Sequence, residues 1–152
     1  MDLLQHALDL AYRYLGHRDR TVAEVRRHLA AKGVEDPVID DTIAELQEQG
    51  YLDDARFAQR FAEDRRTLDS WCAERIERKL RDAGVPAEHI EVALGTQTPD
   101  EAREAAIELL RRRLSEPPRD DRGRERALGL LVRRGYDLEL AYDAVRAFER
   151  AA

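Results

Sequence analysis

The chain has 152 residues, of which 38% are charged, a net charge of −6 and a single cysteine. One cysteine excludes an internal disulfide framework, and no apolar run approaches the ~20 residues that a membrane-spanning helix needs. The amino terminus lacks the basic start and the long apolar region of a secretion signal, so we expect a cytoplasmic protein without a membrane anchor.

A short pattern occurs three times at a constant interval of 51 residues. In each copy a leucine is followed four residues later by a glycine and then by an apolar residue: Leu29, Gly33 and Val34; Leu80, Gly84 and Val85; Leu131, Gly135 and Tyr136. Apolar residues one turn before each leucine, and again ten residues after it, keep the same register. The spacing predicts two helices joined at a glycine, repeated as an array.

The first predicted module covers residues 1–50. A leading helix carries an apolar stripe through Leu4, Leu8 and Leu15, and the second helix begins at a capping box formed by Thr21 and Glu24. The third helix is expected to begin at Asp36-Pro37, with Asp36 as its cap.

The second and third predicted modules cover residues 51–97 and 98–152. Phe57 and Phe61 lie on the leading helix of the second module, and Ile107 and Leu110 on that of the third. Residues 115–123 contain two prolines, many charges and no large apolar residue, which favours a mobile loop. The fold predicted from these patterns is all-α: an elongated tandem array of three three-helix modules, about nine helices in total, with helix-turn-helix-like repeats.

Charge is segregated by helix rather than mixed along the chain. Residues 35–54 contain eight acidic residues and no basic one, whereas the helix before them and the two helices after them are rich in Arg and Lys. Solvated amphipathic faces with intrahelical ion pairs would explain any single residue. The basic stripe as a whole favours binding to an acidic partner.

A helix-turn-helix DNA reader has a similar outline, with its second helix in the major groove. Such a helix needs Arg, Lys, Asn or Gln directed at bases and phosphates. The helix after Gly33 instead carries Asp36, Asp40 and Asp41, and phosphates would repel it. A helix-turn-helix DNA-binding regulator therefore stays the alternative, not the preferred interpretation.

No arrangement typical of catalysis or of a cofactor site occurs in the sequence. The four histidines are scattered, no Gly-rich phosphate loop or nucleophile elbow is present, and we expect no catalytic residue, metal or cofactor. Cys72 follows Trp71 near a helix start, where the helix dipole could lower the pKa of its thiol, but no base accompanies it. We interpret Cys72 as a packing residue.

The segment that joins the first two modules resembles a signature of the RecX regulatory proteins. Residues 50–58, Gly-Tyr-Leu-Asp-Asp-Ala-Arg-Phe-Ala, match the family pattern Gly-Tyr-Leu-Asp-Asp-x-x-Phe-Ala, and the flanking repeats around Gly33 and Gly84 also resemble the family. The sequence departs from the family at Asp69-Ser70-Trp71-Cys72, where small residues or glycine are common.

The resemblance implies a non-enzymatic regulator that binds the RecA recombinase filament and inhibits its recombination, ATPase and coprotease activities. It implies a role in homologous recombination, DNA repair and the SOS response, with at most a weak contact to single-stranded DNA. We separately expect a monomer. A generic helical scaffold for another protein is a further alternative.

Two groups of site residues follow. The cations expected to bind the partner are Arg65, Arg66, Arg75, Arg78 and Lys79, then Arg26, Arg27 and Lys32, with Arg56 as the exposed candidate inside the signature. The signature residues interpreted as structural are Gly50, Tyr51, Leu52, Asp53, Asp54 and Phe57, with Asp53 or Asp54 as a helix cap and Tyr51 packed between modules.

Overall fold

The computed structural model describes residues 2–95 and 97–151. These residues form nine α-helices and no strand, as predicted. Their bounds are α1 Leu3–Leu15, α2 Val22–Ala31, α3 Asp36–Glu48, α4 Asp54–Leu68, α5 Ala73–Asp82, α6 Ala87–Leu94, α7 Pro99–Arg113, α8 Asp121–Arg133 and α9 Leu138–Arg150.

The three repeats fold in the same way at the end of their middle helix. Gly33, Gly84 and Gly135 have φ of +84°, +83° and +95°, the left-handed region that glycine enters without a steric penalty. The amide directly after each glycine completes a Schellman motif: Val34 N–H donates to the Leu29 carbonyl at 3.0 Å, Val85 N–H to the Leu80 carbonyl at 3.1 Å, and Tyr136 N–H to the Leu131 carbonyl at 3.1 Å. The predicted glycine turn is confirmed in all three copies.

Apolar residues at equivalent repeat positions are buried. Val25, Ile76 and Ala127 are fully buried, as are the repeat leucines Leu29, Leu80 and Leu131. Burial of these residues is the main source of stability for helices this short, which are marginal in isolation.

The described contacts divide the chain into two compact units. The first comprises Met1–Phe61 and Lys79–Ala93, and the second comprises Ala62–Arg78 and Leu94–Ala152. Both α4 and α5 are therefore divided between the units.

Each unit has its own apolar core. In the first unit, α1 packs against α2 and α3, and the core contains Leu8, Ala11, Val25, Leu29, Ile39, Ile43, Leu46 and Leu52. In the second unit, α9 packs against α7 and α8, around a cluster that includes Ile107, Leu110, Leu131, Tyr136 and Phe148.

Two predicted boundaries differ from the structure. The cap of α3 is Glu35 rather than Asp36, and Glu35 makes no side-chain capping bond. Pro37 in the first turn has no amide hydrogen, so this helix start has one donor fewer to satisfy. The predicted loop 115–123 is shorter, because Asp120 accepts a bond from Gly123 N–H and α8 begins at Asp121.

Candidate partner-binding surface

In the first unit, α2 buries one face and exposes its basic face. Val25 and Leu29 point into the core, whereas Arg26, Arg27 and Lys32 are exposed. Arg26 is held on α3 by a 2.7 Å ion pair between its Nη1 and Asp40 Oδ1. The side chains of Arg27 and Lys32 form no hydrogen bond or ion pair with another described residue, and both are exposed, so their charges face solvent.

The helix that follows the Gly33 turn has an acidic exposed face. Asp36, Asp40, Asp41 and Glu48 of α3 are all exposed, while Ile39, Ile43 and Leu46 face the core. The face that would enter a DNA groove therefore carries carboxylates, which phosphates would repel.

The signature segment forms a dense set of local bonds in the first unit. Asp53 Oδ1 accepts from Arg56 N–H at 3.0 Å and caps α4, and Asp54 Oδ1 accepts from Val22 N–H at 2.9 Å and so joins the starts of α4 and α2. Burial raises the pKa of the Asp54 carboxyl, although the Val22 bond acts in the opposite direction. Gly50 turns the chain with φ +83°, and Leu52 is 2% exposed in the core.

Tyr51 is 57% exposed, and its ring lies edge-on to that of Tyr12, a residue of the first predicted module, at 5.3 Å between centroids. Arg56 is half-buried instead of exposed as expected, since its Nη2 donates to the Gly50 carbonyl at 2.7 Å. Phe57 is half-buried and stacks on Phe61 at 6.1 Å.

In the second unit, three of the arginines that were expected to contact the partner form bonds within the protein. Arg75 lies 3.9 Å above the Trp71 ring and donates to the Arg133 carbonyl at 2.8 Å. Arg66 donates to the Leu94 carbonyl at 2.8 Å, and Arg65 pairs with Asp69. Their positions are explained by these intramolecular bonds before any partner is considered.

Arg78 of the second unit and Lys79 of the first unit differ from those arginines. Both side chains are exposed on α5, and neither makes a hydrogen bond or an ion pair to a described residue. With Arg27 and Lys32, they are the members of the predicted set whose side chains form no ion pair or hydrogen bond with the described residues. We call these four residues the open cations.

Cys72 packs against the core of the second unit, and its amide donates to the Arg134 carbonyl at 3.3 Å. Burial raises the pKa of its thiol, so the expectation that the helix dipole could lower this pKa is wrong. Desolvation of the thiolate outweighs the bonds that the Arg75 and Glu74 amides donate from the start of α5.

No group of three or more His, Cys, Asp or Glu in the described part of the chain could hold a metal ion. None of the helices described is both long enough and apolar enough to cross a membrane.

Fold and surface define an all-α protein of tandem three-helix modules with exposed basic positions. Residues 7–46 match the model for the first three-helix domain of RecX, and residues 53–94 match that for the second. The chain belongs to the RecX family.

Relatives support this assignment over most of the chain. The regulatory protein RecX of Thermobifida fusca is 32% identical over 148 residues, covering 95% of this chain and 80% of the relative. That of Mycolicibacterium smegmatis is 32% identical over 147 residues, covering 93% of this chain and 78% of the relative. The Leuconostoc mesenteroides protein is also 32% identical, over 108 residues, but the chain spans only 40% of its length.

The fold agrees with solved structures. The crystal structure of RecX from Lactobacillus salivarius superposes with a TM-score of 0.76, at 18% identity, over 98% of both chains. At this identity the likeness concerns the fold alone.

Proposed function

We propose that this protein is a regulator that binds the RecA recombinase filament and inhibits its recombination, ATPase and coprotease activities during DNA repair. It acts by binding in the cytoplasm rather than by catalysis, without a cofactor. The observation that carries the proposal is the match to both RecX domain models in sequence order, over residues 7–46 and 53–94.

The open cations, three in the first unit and one in the second, support individual contacts with an acidic partner. Among the described residues, none forms an ion pair with Arg27, Lys32, Arg78 or Lys79 that would have to be broken on binding. An exposed charge pair contributes only about 0.2–1 kcal/mol, so each contact is weak. Several weak contacts on one chain reinforce one another through their effective concentration, which suits a polymeric partner.

The charge test compares two quadruple variants that lose the same total charge. In the first, Arg27, Lys32, Arg78 and Lys79 are changed to Ala; in the control, the exposed Arg13, Arg113, Arg122 and Arg150 are changed to Ala. Four contacts of about 0.5 kcal/mol each predict at least a tenfold weaker binding to the filament for the first variant. The measurement is co-sedimentation with filaments of the cognate recombinase on single-stranded DNA.

The control separates position from net charge. We expect it to bind within about twofold of the wild-type protein, and both variants to keep their helical circular dichroism. Equal binding by the two variants would remove the open cations from the contact surface.

DNA-binding regulation is the rival function, and the acidic exposed face of α3 argues against it. A gel-shift on duplex DNA at about 200 mM salt distinguishes the two, because non-specific electrostatic binding falls steeply with salt. Retention of a preferred duplex under these conditions, without any binding to the recombinase, would support the rival.

A further inference from the structure

A small cavity lies in the second unit, beside the connection between α4 and α5. Its volume is about 220 Å³, and its walls include Arg66, Ser70, Trp71, Glu108, Arg112 and Tyr136. Neither the open cations nor the signature contributes to it. The cavity combines two guanidinium groups with an indole ring, which is a composition suited to an anionic ligand.

Ser70 has an unusual backbone conformation for its position in this cavity. It is 8% exposed and has φ +54°, a left-handed conformation that costs a residue with a side chain roughly 1 kcal/mol or more. Two neighbouring amides, those of Asp69 and Trp71, donate to the Arg65 carbonyl at 3.2 and 3.0 Å and hold the turn. Strained residues held by their surroundings cluster at binding sites.

The strained turn positions Arg112. Arg112 Nη2 donates to Ser70 Oγ at 2.7 Å, and this is the hydrogen bond that the exposed Arg112 makes among the described residues. A guanidinium has five N–H donors in a planar fork that matches a carboxylate. Arg112 is therefore oriented at the cavity with donors that remain available.

Charge in the cavity favours a singly charged anion. Arg66 and Arg112 supply two positive charges, and Glu108 supplies one negative charge that its neighbour Arg111 partly compensates at 3.5 Å. Arg75 lies 3.9 Å above the Trp71 ring and adds a further cation near the wall.

The size of the cavity decides between a protein and a nucleic acid as the source of that anion. Sites for whole small molecules usually measure about 300–1,000 Å³, so a cavity of 220 Å³ suits a single side chain. Single-stranded nucleic acid is bound along a continuous basic groove with open aromatic faces. Here Arg75 covers one face of Trp71, and Glu108 interrupts the positive lining.

We propose that this cavity binds the carboxylate of an Asp or Glu side chain from an acidic segment of a partner protein, with Arg112 as the direct contact and Ser70 as its positioning residue. The ligand is defined by its carboxylate and not by the identity of the partner, so the test requires no recombinase.

Trp71 makes the test direct, because it is the single tryptophan of the chain and lies in the cavity wall. The full-length protein is titrated with an acetylated and amidated pentapeptide that alternates alanine and glutamate, and with the same peptide carrying glutamine instead. We expect a saturable change in tryptophan fluorescence with the glutamate peptide, at a Kd on the order of 1 mM, and none with the glutamine peptide.

Arg112→Gln and its neighbour Arg113→Gln form a matched pair, since Arg113 is exposed but does not line this cavity. We expect Arg112→Gln to weaken the response at least tenfold and Arg113→Gln to leave it within twofold. Ser70→Gly removes the hydroxyl while tolerating the positive φ, so it tests positioning even if Arg112→Gln fails to fold; a fewfold weakening is expected.

Three outcomes would overturn the proposal. The first is an equal response, or no response, to the glutamate and glutamine peptides. The second is wild-type binding by both Arg112→Gln and Ser70→Gly. The third is quenching by a ten-residue thymidine oligonucleotide alone, lost in Arg112→Gln, which would make the cavity a nucleic-acid contact.

Discussion

Glycines at equivalent repeat positions have the same backbone conformation but different surroundings. A Cβ atom added at Gly33 would meet nothing within 4 Å. At Gly84 it would lie 2.3 Å from Ala23 Cβ, and at Gly135 it would lie 2.8 Å from Cys72 Sγ. The repeat therefore requires glycine for its φ at all three positions, and for close packing at the last two.

The first prediction ranks three alanine variants by this difference. Gly33→Ala should lower the free energy of unfolding by about 1 kcal/mol, the cost of a left-handed residue. Gly84→Ala and Gly135→Ala should lower it by about 2–4 kcal/mol, because overpacking is added to the same strain. Urea denaturation measures all three, and a Gly33→Ala variant as unstable as Gly84→Ala would contradict the ranking.

The second prediction concerns the pH dependence caused by Asp54. Burial raises its pKa above 3.8, so the folded state holds this proton more tightly than the unfolded state. The resulting stabilisation is present below pH 3.8 and is lost as the pH rises through the raised pKa. Asp54→Asn keeps an Oδ1 acceptor for Val22 N–H but does not titrate.

We therefore expect the stability of Asp54→Asn, relative to the wild-type protein, to increase between about pH 3 and pH 6. Asp41→Asn, at an exposed position of α3, controls for the loss of one negative charge. A relative stability that decreases with rising pH would show that the Val22 bond outweighs burial.

At the scale of elements, Thr21 links two helical segments through one hydroxyl. It is fully buried, its Oγ1 accepts from Glu24 N–H at 3.1 Å in the capping box of α2, and it donates to the Ala83 carbonyl at 2.6 Å after α5. The same side chain thus caps one helix and satisfies a carbonyl at the end of another.

The third prediction compares Thr21→Val with Thr98→Val. Loss of the cap costs about 1 kcal/mol, and leaving the Ala83 carbonyl without its donor adds about 1–3 kcal/mol. Thr98 is exposed and caps α7 by accepting from Glu101 N–H. Among the described residues it caps a helix without also donating to a distant carbonyl. Thermal or urea unfolding should show Thr21→Val destabilised by at least twice as much; equal losses would mean that the Ala83 bond contributes nothing.

Elements with local causes could be predicted from the sequence. The glycine turns, the capping box at Thr21 and the Thr98-Pro99 start of α7 each depend on residues within one turn of the chain, and the structure contains all of them. The predicted cap position, Asp36, is wrong by one residue, because proline fixes a helix start without requiring a side-chain bond.

The candidate surface could be predicted less well, because several of its side chains form hydrogen bonds with residues far away in the sequence. The bond from Arg75 to the Arg133 carbonyl spans 58 positions, and that from Arg112 to Ser70 spans 42. A count of basic residues along a helix cannot separate such arginines from Arg78 or Lys79. The position of Tyr51 also depends on a distant residue, since its ring lies against Tyr12 of α1 while the side chain stays 57% exposed.

At the scale of the whole molecule, repetition places the proposed contact residues at several positions along the chain. Arg27 lies on α2, Lys32 directly follows α2, and Arg78 and Lys79 lie on α5. Three modular repeats with individually weak contacts suit a partner that is itself repetitive, such as a protein filament. Charged contacts of this kind weaken at high salt, since the screening length falls from about 10 Å at 0.1 M to about 3 Å at 1 M.

The most direct test of the proposed function is the single-stranded-DNA-dependent ATPase of the cognate recombinase, titrated with this protein below one molecule per recombinase subunit. Filament regulation predicts strong inhibition at these low ratios, and weaker inhibition by the variant that lacks the four open cations than by its charge-matched control. An ATPase rate that stays unchanged up to one molecule per subunit would contradict the account.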